Sequence, residues 1–97
     1  MNVGATIKRL RKDRNWTQEY FASEIGISVT SLSLIESGST RPNKSTMNKI
    51  CEVFGIAESF LYVMSISEED VPDNKKEVYR ILAPNLKIIV EQLTEGN

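Results

Sequence analysis

The amino-acid sequence predicts an all-α protein in which five short helices are followed by a longer C-terminal helix. Apolar residues recur three or four positions apart through most of the chain, and this spacing places them on one face of successive helices. Residue types that begin or end helices, such as Asn2, Thr17, Gly26 and Ser28, stand between these apolar groups. Apolar residues make up 40% of the 97 residues and charged residues 26%, so the chain can fold around one modest core.

Helix 1 is predicted at about 3–14, between two asparagines that suit its ends. Asn2 can cap the first turn, and Asn15 tolerates the left-handed backbone conformation that often follows a last turn. The apolar face of this helix consists of Val3, Ile7 and Leu10.

The next two predicted helices are short and lie close together in the sequence. Helix 2, at about 18–25, follows Thr17, and helix 3, at about 29–36, follows Ser28; both preceding residues are good N-caps. Gly26 opens the turn between them, where glycine accepts a positive φ without a steric clash. Two short helices joined by a three-residue turn that begins with glycine are typical of a helix-turn-helix. The apolar faces are Phe21, Ala22 and Ile25 for helix 2, and Leu32 and Ile35 for helix 3; hydrophobic staples are formed by Trp16 with Phe21 and by Ile27 with Leu32.

Two further helices complete the predicted core. Helix 4 is expected at about 44–54, with Asn43 as its cap and Gly55 after its end. Helix 5 is expected at about 58–64 and has a weaker start, because the preceding alanine has no side-chain acceptor. Their buried faces would be Met47, Ile50, Cys51 and Phe54, and then Phe60, Leu61 and Met64.

The C-terminal third has a different character. Residues 65–73 are acidic and read as a linker, so we expect a helix-turn-helix domain at 1–66 and a linker with a C-terminal helix at 67–97. An apolar stripe predicts that helix at about 74–94, and Pro84 inside it predicts either one bent helix or two pieces. The stripe consists of Val78, Leu82, Leu86, Ile89, Val90 and Leu93.

The residue types exclude several kinds of chemistry. The chain has one cysteine and no histidine, which excludes an internal disulfide, a zinc site, Cys–His catalysis and a Ser–His–acid triad. It has no glycine-rich phosphate loop, no apolar run near the ~20 residues that span a bilayer, and no signal-peptide pattern at the start. We therefore expect a cytoplasmic protein that is not an enzyme, needs no cofactor or metal, and does not bind a membrane.

The charges are unevenly distributed although the net charge is only −1. Residues 1–50 carry eight basic and four acidic side chains, whereas residues 51–97 carry four basic and nine acidic ones. This asymmetry favours a polyanion as the partner of the first half alone. Chance asymmetry in a small protein is the alternative interpretation.

The stretch 17–42 resembles the helix-turn-helix of the Cro and phage-repressor family, also called the xenobiotic-response-element (XRE) type. With helices 1, 4 and 5 the resemblance extends over about 3–64, and it implies a repressor-like five-helix fold that binds double-stranded DNA. The matching features are Thr17-Gln18 at the start of helix 2, Ala22 at the contact between the helices, Gly26 in the turn, Leu32 and Ile35 on the inner face, Glu36-Ser37-Gly38, and Arg41-Pro42.

The resemblance also implies roles for individual residues. Base contacts would come from the exposed side of helix 3, at Val29, Thr30, Ser33 and Leu34. Contacts to the DNA backbone would come from Gln18, Ser28, Ser39, Thr40, Arg41, Asn43 and Lys44. Arg11 and Glu36 would form an ion pair that pins helix 3 to helix 1 and aims the remaining donors of Arg11 at a phosphate.

The four base-contacting residues are unusual readers. None of them can make the bidentate hydrogen bonds by which Arg, Lys, Gln or Asn recognise guanine or adenine. Thr30 and Ser33 can each make single hydrogen bonds, and Val29 and Leu34 can pack on thymine methyl groups, so we expect modest readout that favours thymine. Two alternatives remain open: Leu34 belongs to the ordinary surface or rests on helix 4, and Gln18 is only a solvated side chain.

We expect a transcriptional regulator, and specifically a repressor that binds an inverted-repeat operator as a homodimer. The C-terminal helix would form part of the dimer interface, through Leu82, Leu86, Ile89, Val90 and Leu93; in the alternative, it folds back over helices 1 and 5 of its own chain. The competing function is the antitoxin of a toxin–antitoxin pair, in which this helix binds the toxin. A protein partner of either kind, a toxin or an anti-repressor, is not identified by the sequence.

Overall fold

The computed structural model describes residues 1–94, and within that range it contains six α-helices and no β-strand. The prediction of an all-α fold with five short helices and a longer C-terminal helix is therefore confirmed. The helices are α1 (Val3–Asp13), α2 (Gln18–Ile25), α3 (Val29–Glu36), α4 (Lys44–Phe54), α5 (Glu58–Ser65) and α6 (Lys76–Thr94). Two short 3-10 turns precede α6, at Glu68–Asp70 and Asp73–Lys75.

The first four helices begin at side-chain caps. The side-chain oxygens of Asn2, Thr17, Ser28 and Asn43 each accept a hydrogen bond from the backbone N–H three residues later, at 2.8–3.0 Å. Each bond satisfies one of the four N–H groups that a helix start leaves without a partner. Helix α5 begins at Ala57 without such a bond, as its sequence predicts.

The core is assembled from all five short helices at once. The largest fully buried side chains are contributed one by each of α1 to α5, and each such burial stabilises the fold by about 1.5–3 kcal/mol. They are Ile7, Phe21, Leu32, Ile50 and Leu61. Since every short helix gives one face to this core, the opposite face of each remains available to solvent.

A stack of aromatic rings fixes the start of α2 against the end of α4. The ring of Trp16 lies 5.9 Å from that of Phe54, and Phe54 lies 4.9 Å from Phe21. The guanidinium of Arg14 covers the outer side of Phe54 at 4.9 Å, a cation–π contact. Nearby, Cys51 is buried, and that burial raises the pKa of its thiol. These side chains are part of the packing.

Helix α1 approaches the end of α3 so closely that only glycine fits at Gly4. A Cβ atom at this position would lie 2.1 Å from the carbonyl oxygen of Ile35 and 3.1 Å from that of Glu36. No allowed contact between carbon and oxygen is that short, so a side chain here would force the two helices apart. Gly4 therefore sets the distance between α1 and the C-terminal end of α3.

Helix α6 is one continuous helix with Pro84 inside it, and it packs on its own chain while leaving a second face exposed. Ala83 and Val90 are buried, and Arg9 of α1 donates a hydrogen bond to Glu91 at 2.7 Å. Placing Val90 in a dimer interface was wrong, because this side chain is 5% exposed and belongs to the core of its own chain. Ile89 and Val90 are adjacent, hence about 100° apart around the helix, and Ile89 is exposed whereas Val90 is buried.

The acidic segment before α6 is held in place by specific contacts. Asp70 accepts hydrogen bonds from the backbone and side chain of Ser67, and its carboxylate pairs with the N-terminal amine of Met1 at 2.6 Å. The amine, and then the backbone of Ser67, hold the pKa of Asp70 below its usual value. Tyr79 donates to the carbonyl of Ile66 at 2.9 Å, so the segment predicted as a linker fixes α6 relative to α5.

Replacing Gly4 by alanine is expected to lower the free energy of unfolding by about 1–3 kcal/mol, because the added methyl group forces α1 away from α3. Urea unfolding followed by circular dichroism measures the change. Ala5 is exposed in the same helix, and Ala5→Ser is the matched control, with an expected change of about 0.5 kcal/mol or less. Equal stabilities of Gly4→Ala and the unaltered chain would contradict the close approach.

Candidate nucleic-acid interface

Helix α3 has one face in the core and the other in solvent. Leu32 and Ile35 are buried, whereas Val29 is 37% and Leu34 is 44% exposed. Thr30 is also exposed. Leu34 is thus a largely solvent-facing side chain. Three of the four residues predicted to contact bases lie open on one side of the molecule.

The turn before α3 is short and closely bonded to α2. Gly26 adopts a positive φ of 75°, and the N–H of Ile27 donates to the carbonyl of Ala22 at 3.0 Å. The side chain of Ile27 is partly buried and packs against the core. This turn holds the N-terminal end of α3 outward, in the position from which a helix can enter the major groove of DNA.

A buried ion pair joins α1 to the last residue of α3. Nε of Arg11 donates to Glu36 Oε2 at 2.7 Å, and Nη2 donates to Glu36 Oε1 at 3.1 Å. The two side chains that the resemblance pairs are therefore in direct, two-pronged contact. Arg11 uses within the chain itself one of the donors that were expected to face a phosphate. Its Nη1 donates to the carbonyl of Trp16 at 2.7 Å, and the residue is only 6% exposed.

Gln18 connects this ion pair to the middle of α3. Its Nε2 donates to Glu36 Oε1 at 3.0 Å, and its Oε1 accepts a hydrogen bond from Ser33 Oγ at 3.2 Å. Both Gln18 and Ser33 are half-buried, so Ser33 is less open to solvent than Thr30. The sequence shows no signal for these bonds, because their partners lie 18 and 15 residues apart.

The backbone-contacting residues predicted beyond α3 all lie on the surface. Ser39, Thr40, Arg41, Asn43 and Lys44 are exposed. Some of their polar groups are engaged within the chain: the hydroxyls of Ser37 and Ser39 lie 2.9 Å apart, and Asn43 caps α4. On the other side of α3, Ser28 is exposed and serves as the cap of that helix. The loop 37–43 thus offers several hydrogen-bonding groups to solvent beside the exposed face of α3.

Lys44 already has an anionic partner. Its ammonium group lies 3.3 Å from Glu58 Oε1, and the hydroxyl of Tyr62 donates to Glu58 Oε2 at 2.8 Å. The hydrogen bond from Tyr62 is the main reason that the pKa of Glu58 is below its usual value, with Lys44 adding to the effect. Glu58 is therefore a carboxylate at neutral pH, and the predicted phosphate contact of Lys44 would have to compete with it.

Within residues 1–94, no group of three or more His, Cys, Asp or Glu side chains is arranged to hold a metal ion. None of the helices described there is long and apolar enough to cross a membrane.

Comparison with known proteins gives a consistent result. The family model described as helix-turn-helix matches residues 7–61. An uncharacterised HTH-type transcriptional regulator of Mycobacterium tuberculosis is 36% identical over 55 residues, which is 57% of this chain and 22% of that protein. The antitoxin PezA of Streptococcus pneumoniae is 36% identical over 90 residues, which is 93% of this chain and 53% of PezA. The HTH-type transcriptional activator BcrR of Enterococcus faecalis is 27% identical over 86 residues, covering 84% of this chain and 42% of BcrR.

The chain spans about a fifth of the length of the mycobacterial regulator and about half of PezA. No solved structure matches the chain significantly.

Arg11→Met is expected to lower the free energy of unfolding by about 3–5 kcal/mol, because it leaves the Glu36 carboxylate buried without its ion partner. The double variant Arg11→Met/Glu36→Leu is expected to be more stable than Arg11→Met, since no unpaired charge remains buried. Urea unfolding of the unaltered chain, Arg11→Met, Glu36→Leu and the double variant completes a double-mutant cycle.

The control for that cycle is the exposed pair formed by Lys49 and Glu52, whose charged atoms are 3.6 Å apart. Lys49→Met should change stability by about 0.5 kcal/mol or less. Strictly additive losses at Arg11 and Glu36 would show that the two side chains do not act as a pair.

Proposed function

Since this chain belongs to the XRE-type helix-turn-helix family, we propose that it is a repressor that binds an inverted-repeat operator as a homodimer. Members of this family are DNA-binding transcription regulators, and the proposal refines that role. The observation that carries it is the exposed outer face of α3, whose inner face is fixed by Leu32 and by the ion pair of Glu36. A short helix held in this way has the size and the placement needed to enter the major groove, which is ~12 Å wide.

Base recognition is assigned to Val29, Thr30, Ser33 and Leu34. The exposed Val29 and Leu34 are suited to pack on thymine methyl groups, and the hydroxyl of Thr30 is suited to a single hydrogen bond. None of these contacts is bidentate, so each contributes limited discrimination. Specificity must then be summed over two half-sites, which is one reason for a homodimer.

Contacts to the DNA backbone are assigned to groups on both sides of α3. At the start of α2, the second Nε2 hydrogen of Gln18 is left over from the bond to Glu36 and suits a phosphate, near the partial positive charge of the helix N-terminus. The other groups are the side chains of Ser28, Ser39, Thr40, Arg41, Asn43 and Lys44. Such contacts position the protein without reading sequence, and they make affinity fall steeply as salt is added.

The homodimer is supported by the second face of α6. Leu82, Leu86, Ile89 and Leu93, predicted as interface residues, are 48–62% exposed. Three more large apolar side chains extend this surface and were not among the predicted interface residues: Val78, Ile81 and Ile88. Seven large apolar side chains along one helix expose several hundred Å², which approaches the roughly 800 Å² that each partner buries in a standard interface. A two-fold axis there would match the symmetry of an inverted repeat.

Selection from random duplexes is expected to yield one preferred sequence, with thymines at contacted positions. Thr30→Glu should then weaken binding to that duplex about 100-fold or more, because it places a carboxylate against the groove and its phosphates. Fluorescence anisotropy at fixed salt measures the affinity. Ser23→Glu, at an exposed position of α2, is the charge-matched control and should bind with nearly unchanged affinity. Undiminished specific binding by Thr30→Glu would contradict the proposal.

The double variant Leu82→Ser/Ile89→Ser is expected to be a folded monomer, while the unaltered chain sediments at twice its mass of 11.0 kDa. Both side chains are exposed in the single chain, so their replacement should leave the helix content measured by circular dichroism nearly unchanged. Analytical ultracentrifugation and circular dichroism measure the two properties, with Glu77→Ser, an exposed change elsewhere on α6, as control. An unaltered chain that remains monomeric at concentrations saturating its operator would overturn the dimer.

A second candidate function rests on the alignment with the antitoxin PezA, which extends over 93% of this chain and so includes most of α6. In that case the exposed face of α6 binds a toxin, and α3 binds the promoter of the pair. A gene for a small basic protein directly beside this one would favour it. The two functions differ in ultracentrifugation, since an antitoxin would bind the product of that gene through Leu82 and Ile89.

A further inference from the structure

The chain of hydrogen bonds from Arg11 to Ser33 determines where the proton of the Ser33 hydroxyl points. Glu36 is the first fixed member of this chain. Both of its oxygens accept hydrogen bonds from the guanidinium of Arg11, and the pair is buried. A carboxylate that faces a guanidinium in this way is ionised, and an ionised carboxylate can only accept hydrogen bonds.

The orientation of the Gln18 amide follows from that of Glu36. A side-chain amide has one donating end and one accepting end, which look alike apart from their hydrogens. Only the NH2 end can face an acceptor such as Glu36 Oε1, which lies 3.0 Å from Gln18 Nε2. The opposite orientation would bring two unprotonated oxygens together, so Gln18 Oε1 must be the atom that faces Ser33.

The hydroxyl of Ser33 then has no choice of direction. It lies 3.2 Å from Gln18 Oε1, an atom that can only accept, so it must donate its single proton there. What remains on Ser33 Oγ for another partner is a pair of acceptor sites. Thr30 differs, because the structure of residues 1–94 gives its hydroxyl no hydrogen bond and it can turn to donate or to accept.

We propose that Gln18 makes Ser33 an acceptor-only reader, which selects a base carrying an amino group in the major groove. Only adenine, through its N6 amino group, and cytosine, through its N4 amino group, present a donor there; guanine presents N7 and O6, and thymine O4, all acceptors. This inference rests on the proposed insertion of α3 into DNA and refines what one of its positions recognises. Gln18 would act as a positioning residue for specificity, separately from any phosphate that it binds.

The test compares the base preferences of the unaltered chain, Ser33→Ala, Gln18→Met and the control Thr30→Ala by selection from random duplexes. Ser33→Ala identifies the position that Ser33 reads, as the one where preference disappears. At that position the unaltered chain is expected to favour adenine or cytosine over guanine and thymine by about tenfold, the scale of one mismatched contact. Gln18→Met frees the hydroxyl to donate, and should reduce this ratio to about threefold or less, while weakening binding to all sequences alike.

A base analogue gives a second, independent readout. Purine in place of the selected adenine, or 2-pyrimidinone in place of cytosine, lacks only the amino group. The analogue should weaken binding of the unaltered chain about tenfold and leave binding of Ser33→Ala unchanged. Thr30→Ala serves as control, since its base position should not respond to Gln18→Met.

The outcomes separate this inference from the proposed function. A preference for guanine or thymine at the Ser33 position, or a preference that Gln18→Met leaves intact, overturns the acceptor-only role while specific DNA binding stands. The acceptor-only role is also overturned if Ser33→Ala keeps the base preference of the unaltered chain at every position. If the unaltered chain selects no sequence at all, the proposed function itself fails. Thermal unfolding of Gln18→Met verifies the fold, which Arg11 and Glu36 maintain without the glutamine.

Discussion

The geometry of the nucleic-acid interface depends on one buried contact, the ion pair between Arg11 and Glu36. Removing two charges from water is costly, and the cost is offset only where the charged groups find further hydrogen-bond partners. Glu36 also accepts a hydrogen bond from Gln18, and Arg11 also donates one to the carbonyl of Trp16, so each charged group has a further partner. The contact joins α1, the start of α2 and the end of α3 at one point. Two buried apolar side chains hold α3 against the core, but such contacts have no direction, and it is the ion pair that fixes how the helix is turned.

Ion pairs within the chain also reduce the uneven distribution of charge that the sequence shows. Several basic residues of the first half are matched by acidic residues of the second half, as in the contacts of Arg9 with Glu91 and of Lys44 with Glu58. Arg9 lies on the side of α1 that faces α6, where its charge stabilises the fold. Lys44 lies beside the exposed loop, where the carboxylate of Glu58 would compete with a phosphate in the proposed backbone contact. The basic character of the first half is therefore smaller in the folded protein than its sequence suggests.

The features that the sequence predicted well are those that depend on residues close together in the chain. A cap such as Thr17 bonds to an N–H three residues later, so the starts of the first four helices could be predicted from local pattern alone. The need for glycine at Gly4 depends on the end of α3, more than thirty positions away, and no local pattern announces it. The bonds from Gln18 to Glu36 and Ser33 were missed for the same reason. Their existence requires the relative placement of two helices, which the apolar pattern specifies only approximately.

Helix α6 shows how two faces of one element can serve two purposes, and why the alternatives drawn from sequence were not exclusive. Its Val90 side packs on the chain's own core, which leaves the other apolar side for a second copy in the proposed dimer.

The placement of α6 is coupled to that of α3 through α1. Arg9 contacts Glu91 of α6, and Arg11, two positions along, contacts Glu36 of α3. Residues two apart lie on nearly opposite sides of a helix, so α1 is a rigid spacer between α6, the helix of the proposed dimer, and α3, the helix proposed to enter the groove. In a two-fold dimer this spacer determines the separation of the two recognition helices, and DNA offers successive major-groove sites only about every 34 Å. In the proposed dimer, the length and the packing of α1 would therefore bear on operator spacing, although most of that helix need not contact DNA.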